Sequence, residues 1–438
     1  MKNKIIFPTI LLIYVLLFLP AFAKEEINNK DAQTTIRAMN FYREGLELYN
    51  SNRFDEAEML LKRSLKEDSN FYKAYLTLFN IYSSENKMQD AFNCISSALK
   101  INPDNEEAKY CHALYLFKTG DFKNSEIEIL KAVKKNPTNV SFITLLGLIN
   151  KADNKIGASK ECFEKALLLR PGFLPAKINL TSLYIDNKNY KDALKLIFNE
   201  DIEFEKISKE KILFIKNPSL LTDLGIILFK NKMYDLSETA LTNASDAGCT
   251  AANYNIALLY VEQNKLNKAE EYTYKILDKS PSDINAVILI AEILLKQKRF
   301  DESLKYYENM QNLSADNKKF YEGYSDVLIK TGNFDRAKSL LENALEKYPQ
   351  STVLNNNYGV LQMKFNNPKN AISYFLKAIE LDENYIAAIR NVSYAYETND
   401  DKINAIKYFK ILLNLDLSTD EKKSINKKIT ALEGNYSK

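Results

Sequence analysis

The sequence predicts an all-α solenoid of stacked helical hairpins, and three observations carry that prediction. Apolar residues recur at helical spacing in paired runs, the pair recurs every 34 residues, and small residues fall in columns at fixed places in the repeat. The stretch Tyr72 to Asn105 is the clearest unit. Tyr75, Leu78 and Tyr82 mark its first helix, and Ala91, Ile95 and Ala98 its second. Ser84-Glu85-Asn86-Lys87 is the polar break between them, and Pro103 stops the second run. Glycine is scarce, at 11 in 438 residues, and strand-type alternation is absent, so a sheet has no sequence support.

The chain opens with a targeting pattern. Lys2 and Lys4 precede an apolar run from Thr9 to Leu19, bracketed by Pro8 and Pro20, and Ala21-Phe22-Ala23 supplies a small-x-small cleavage site. Residues 1–23 are therefore expected to be a signal peptide, with an uncleaved membrane helix as the competing reading. Either would carry the rest of the chain across a membrane, since the lysines stay inside. Residues 24–37 are polar and aperiodic and read as a flexible leader.

Repeats then begin at Ala38, Tyr72, Glu106, Val140 and Leu174, at Pro218 and Thr250 after two irregular intervals, and at Ile284, Lys318, Thr352 and Ile386. They fill residues 38–207 and 218–417, with an insertion at 208–217. Ser418 to Glu421 forms a capping box opening a lysine-rich closing helix within 418–438. A polar-faced last helix is what a solenoid needs at its end. At the twentieth position every repeat carries Ala or Ser, from Ala57 to Ala405. At the eighth, ten of eleven residues are small, with Phe79 the exception. Asn or Gly stands at the fifteenth in seven repeats, where a helix ends in left-handed backbone.

These residues resemble the tetratricopeptide repeat (TPR): an aromatic, Leu, Gly or Ala and Tyr in the first helix, then Ala, Phe, Ala and Pro. The resemblance implies a right-handed superhelical α-solenoid of about eleven helix-turn-helix units plus a capping helix. Ala247 to Ala252, at the end of the short sixth unit and the start of the next, resembles the Sel1-like variant. Around residues 201–217 the pattern fails: Glu200 replaces a small residue, and the extra residues read as a lengthened helix or linker. The solenoid is thereby expected to divide into five repeats and six.

Little catalytic chemistry is visible. One histidine, His112, rules out HExxH and multi-histidine metal sites, and nucleotide-binding glycine motifs and GxSxG are absent. No enzyme activity, cofactor or metal is expected. Cys94, Cys111, Cys162 and Cys249 form no CxxC pair; four buried thiols or a Cys94–Cys111 disulfide are the alternatives. A formal charge of +3 argues against nucleic acid or a polybasic membrane contact.

The resemblance puts the second, fifth, ninth, twelfth and thirteenth positions of each first helix on a concave groove, free of hairpin packing. Here those positions hold Tyr42, Leu46, Tyr49, Tyr110, Leu114, Phe117, Phe229 and Tyr254, the candidate partner site. Apolar and aromatic residues on such a face suit a protein or peptide partner, with superhelical core packing as the competing account. Lys118, Lys230, Lys296, Lys330 and Lys364 recur at the thirteenth position, where a helix C-terminus already favours a cation. The Lys/Asn carboxylate clamp of chaperone-binding TPR domains is missing: Leu76 stands where the lysine belongs beside Asn80. The expectation is an exported scaffold at a bacterial periplasm or outer-membrane face, assembling an envelope complex. The alternative is a glycan-binding module in polysaccharide export, using the groove tyrosines.

Overall fold

A computed structural model describes residues 29–310 and 317–434. The expected signal peptide and its cleavage site lie outside the described residues. Within them every regular element is helical. From the second repeat onward each first helix starts at the residue the spacing assigned: Tyr72–Ser84, Glu106–Lys118, Val140–Ala152, Leu174–Asp186, Pro218–Lys230, Thr250–Glu262, Ile284–Lys296, Lys318–Lys330, Thr352–Lys364 and Ile386–Thr398. Each is followed by a second helix, and Thr419–Gly434 closes the chain. The Ser418 hydroxyl accepts from the Glu421 amide at 3.3 Å, as the capping box requires.

Two expectations need correction. The first helix runs Asn29–Asn50, so most of the supposed flexible leader is helical. Its interior is pinned by the Ser64 hydroxyl, which donates to the Ala38 carbonyl at 2.7 Å. The insertion is not a lengthened helix: the second helix of repeat 5 stops at Phe198, and a 3-10 turn (Phe204–Lys206) and a short helix (Lys209–Leu213) follow. Ile202, Ile207 and Ile212 bury their side chains, so the segment is packed rather than a free linker.

The columns explain the hairpin. All eleven residues at the twentieth position have no solvent exposure. The four serines among them share one bond: Ser125, Ser159, Ser237 and Ser303 donate to the carbonyls of Ala113, Gly147, Gly225 and Ala291 at 2.6 to 2.8 Å. That contact fastens the second helix to the eighth position of the first and satisfies a buried hydroxyl. Close approach explains the glycines as well. A Cβ on Gly147 would lie 2.6 Å from the Phe163 ring, and one on Gly359 2.5 Å from Phe375. The turn is equally regular, because the fifteenth residue has positive φ in every repeat. In four repeats that residue is Lys188, Lys232, Lys298 or Asp400 rather than Asn or Gly.

The chain forms two compact units, meeting between Ala240 and Leu241 in the second helix of repeat 6. The division therefore falls after the insertion rather than at it. In the first unit, Leu61, Phe79, Ile81, Ile95 and Ile129 are sealed from solvent. In the second, the rings of Tyr307, Phe320 and Tyr324 pack with centroids 5.3 to 5.5 Å apart.

Candidate partner-binding groove

Aromatic residues at the twelfth position are not free for a partner. Tyr49 packs on Phe54, Phe117 on Phe122 and Phe229 on Tyr234, with ring centroids 5.8, 5.7 and 6.1 Å apart. Each ring meets the first residue of the second helix of its own repeat, so it folds over the hairpin turn. Tyr49 and Leu114 are each only 7% exposed and belong to the core of the first unit. This corrects the expectation that these positions escape hairpin packing. A ring two residues before a tight turn can close over the turn, and the burial gained there favours that rotamer.

Fifth-position tyrosines behave differently. Tyr42 packs on Phe71 at 5.1 Å, and Tyr110 stacks on Phe142 at 5.2 Å, so each bridges towards the next repeat. Tyr42, Leu46, Tyr110, Phe117, Phe229 and Tyr254 remain half-buried, with part of each side chain in solvent. Desolvation pushes the hydroxyl of Tyr254 up to about 12 and raises those of Tyr42 and Tyr110. Glu107 and Glu292, at the second and ninth positions, are solvent-exposed, yet desolvation still holds their carboxyl groups above the usual range. Within each unit these groups stand at the groove positions of the first helices. Tyr49 and Tyr110, two repeats apart, come within electrostatic reach of one another there.

Polar residues tie neighbouring first helices along this face. Lys118 donates to the Ser83 carbonyl and hydroxyl, both at 2.8 Å. Lys151 pairs with Asp186 at 2.8 Å and reaches the Ser182 hydroxyl at 3.1 Å. Lys330 pairs with Asp326 on its own helix. Lys118 and Lys330 thus have structural partners. Beside this set lies Asp223, 5% exposed, which the sequence reading passed over. An acid inside Leu220-Leu221-Thr222-Asp223-Leu224 was the available signal, because such a run leaves it no solvated face.

The other chemistry-bearing groups are packed. His112 sits half-buried with Nδ1 3.9 Å from Glu128. All four cysteines are free thiols, and burial pushes that of Cys94 up to about 12 and raises that of Cys111. The Cys94–Cys111 disulfide alternative is not what forms. Among the described residues no cluster of His, Cys, Asp and Glu could hold a metal.

Two sequence profiles of the tetratricopeptide repeat match the chain, one over residues 48–115 and 294–356, the other over 140–173, 250–282 and 353–385. Together they span half of it. The chain is a tetratricopeptide-repeat protein. The seventh unit matches the same profile as two other TPR units, and no profile match marks the short sixth unit as Sel1-like. Human protein O-mannosyl-transferase TMTC3 is 24% identical over 241 residues, 52% of this chain. That alignment takes in 25% of the human protein, so the chain spans about a quarter of its length. Among solved structures, yeast Tom70 superposes with a TM-score of 0.42 at 15% identity, covering 91% of this chain and 96% of that one. The human IFIT1 dimer with PPP-AAAA gives 0.47 at 15% identity, covering 78% and 90%.

The expected bacterial periplasmic or outer-membrane location is corrected by these comparisons. The curated relative is a human protein, and no described helix is long and apolar enough to cross a membrane.

Proposed function

We propose that this TPR protein is a non-enzymatic scaffold whose first-helix face holds a protein or peptide partner. The observation that carries the reading is the half-buried fifth-position tyrosines, Tyr42 and Tyr110 in the first unit and Tyr254 in the second, the first two held on one edge by Phe71 and Phe142 while part of each ring stays in solvent. Aromatics already held by a neighbour on one edge lose little rotamer freedom when a partner covers the other. That suits an extended or helical segment laid along the groove. Packed thiols and a histidine beside Glu128 support the non-enzymatic part, since neither has an activated nucleophile's surroundings.

A second reading, a glycan-binding module, draws support from the O-mannosyl-transferase name of the human relative and from tyrosine rings able to stack on sugars. A random peptide library and a glycan array, screened against the same immobilised chain, separate the two. The scaffold reading expects selected peptides whose affinity drops about tenfold or more in Tyr42→Ala and Tyr110→Ala, roughly 1.4 kcal/mol. Binding confined to the glycan array, or peptide binding indifferent to both changes in folded protein, contradicts it.

A further inference from the structure

Asp223 stands on the first helix of repeat 6, at the sixth position, and its Oδ2 is buried with no hydrogen-bond partner. Other polar side chains at that position are satisfied, either by their own helix, as Thr77, Asn179 and Asn255 are through the carbonyls of Lys73, Pro175 and Ala251, or by the preceding repeat. Asn357 donates to the Glu322 carbonyl at 3.1 Å and to the Ser325 hydroxyl at 2.9 Å, and Asn391 donates to Asn356 at 2.9 Å. Those partners occupy the fifth and eighth positions of the repeat before. In repeat 5 the same places hold Ile178, which has no donor, and Thr181, whose hydroxyl already donates to the Lys177 carbonyl at 2.9 Å. Asp223 is thus an acceptor at a point where this repeat array offers no donor. Leaving a carboxyl oxygen buried and unmet is costly, which points to a donor from outside the chain.

The surroundings select the donor's charge. Lys151 and Asp186 are the two charged groups whose fields reach Asp223, and Lys151 is held by Asp186 and Ser182. Two carboxyl groups therefore share one ammonium group. A second cation would balance the set and supply the missing donors, making a charge-assisted bond in a desolvated place. No cluster of metal-ligating side chains accompanies it among the described residues, which favours an organic cation over a metal ion.

We propose that Asp223, beside Asp186, Ser182 and Lys151, is a cation subsite on the groove face of repeats 4 to 6 that receives a lysine or arginine side chain of a protein partner. The proposal rests on the groove reading above and deepens it.

The test uses the full chain and a random linear peptide library, followed by one selected peptide and its analogue with citrulline in place of arginine. The subsite predicts that selected peptides share a basic residue at one register. It also predicts that Asp223→Asn weakens the chosen peptide about tenfold or more, to the level of the citrulline analogue on wild type. Lys151→Met should tighten the same peptide several-fold. Asp223→Asn and Asp223→Leu remove no hydrogen bond of the folded chain, so at least one should melt near wild type. Peptides that bind without basic preference, or that bind Asp223→Asn within about twofold of wild type, overturn the subsite and leave the groove reading standing. A library that yields no binder overturns both. Melting of both variants well below wild type overturns the subsite, because the carboxyl would then be a structural partner.

Discussion

One methyl group should have opposite effects at two glycines of repeat 4. A Cβ on Gly147 meets the Phe163 ring at 2.6 Å, whereas one on Gly157 meets nothing within 4 Å. Gly147→Ala should lose roughly 1–3 kcal/mol through overpacking. Gly157→Ala should gain up to about 1 kcal/mol, because alanine gives up less freedom in a helix. Urea unfolding measures both, and equal effects would mean the tight eighth position is not what sets hairpin spacing. At this scale the sequence was legible where residue type and geometry coincide. Asn52, Asn86 and Gly120 announced left-handed backbone, but Lys188, Lys232 and Lys298 adopt it without announcing it. Their φ is imposed by the hairpins on either side. Depth was less legible than direction: spacing put Tyr49 and Phe117 on the right helix face, but it could not show that each ring bends over its own turn. Asp223 was missed because an acid is read as solvated until packing shows otherwise.

Helix boundaries were legible almost to the residue, since a period seen eleven times averages out local ambiguity. Where the period broke, so did the reading. Asn29 to Arg37 lacks an apolar stripe and was read as leader, although it continues the first helix. The insertion reads as a lengthened helix or linker because it falls outside the repeat, yet Ile202, Ile207 and Ile212 are all buried. Ile212, with no exposure, anchors the five-residue helix Lys209–Leu213, while Leu213 and Phe214 beside it face solvent. Ile212→Ala should therefore cost about 2–5 kcal/mol and make the chain bond after Phe214 the first site of chymotrypsin cleavage. A loss below about 1 kcal/mol, or first cuts inside the repeats, would show that the segment is held by other contacts.

In a solenoid each repeat buries its surface against its neighbours, so the molecule needs no separate domain to be stable and leaves its first helices to form a surface. The sequence disclosed that arrangement, but it could not name a partner, because an unpaired carboxyl and half-covered rings exist only once the repeats are stacked. The central claim is that a partner lies on the first-helix face. Photo-crosslinking tests it most directly, with benzoylphenylalanine placed singly at Tyr42, Tyr110 or Leu168 and a selected peptide as the probe. Leu168, on the second helix of repeat 4, is 84% exposed and so is the more accessible position. Cross-links from Tyr42 and Tyr110 and none from Leu168 are the predicted result. Cross-links from Leu168 alone would place the partner on the second helices and contradict the groove.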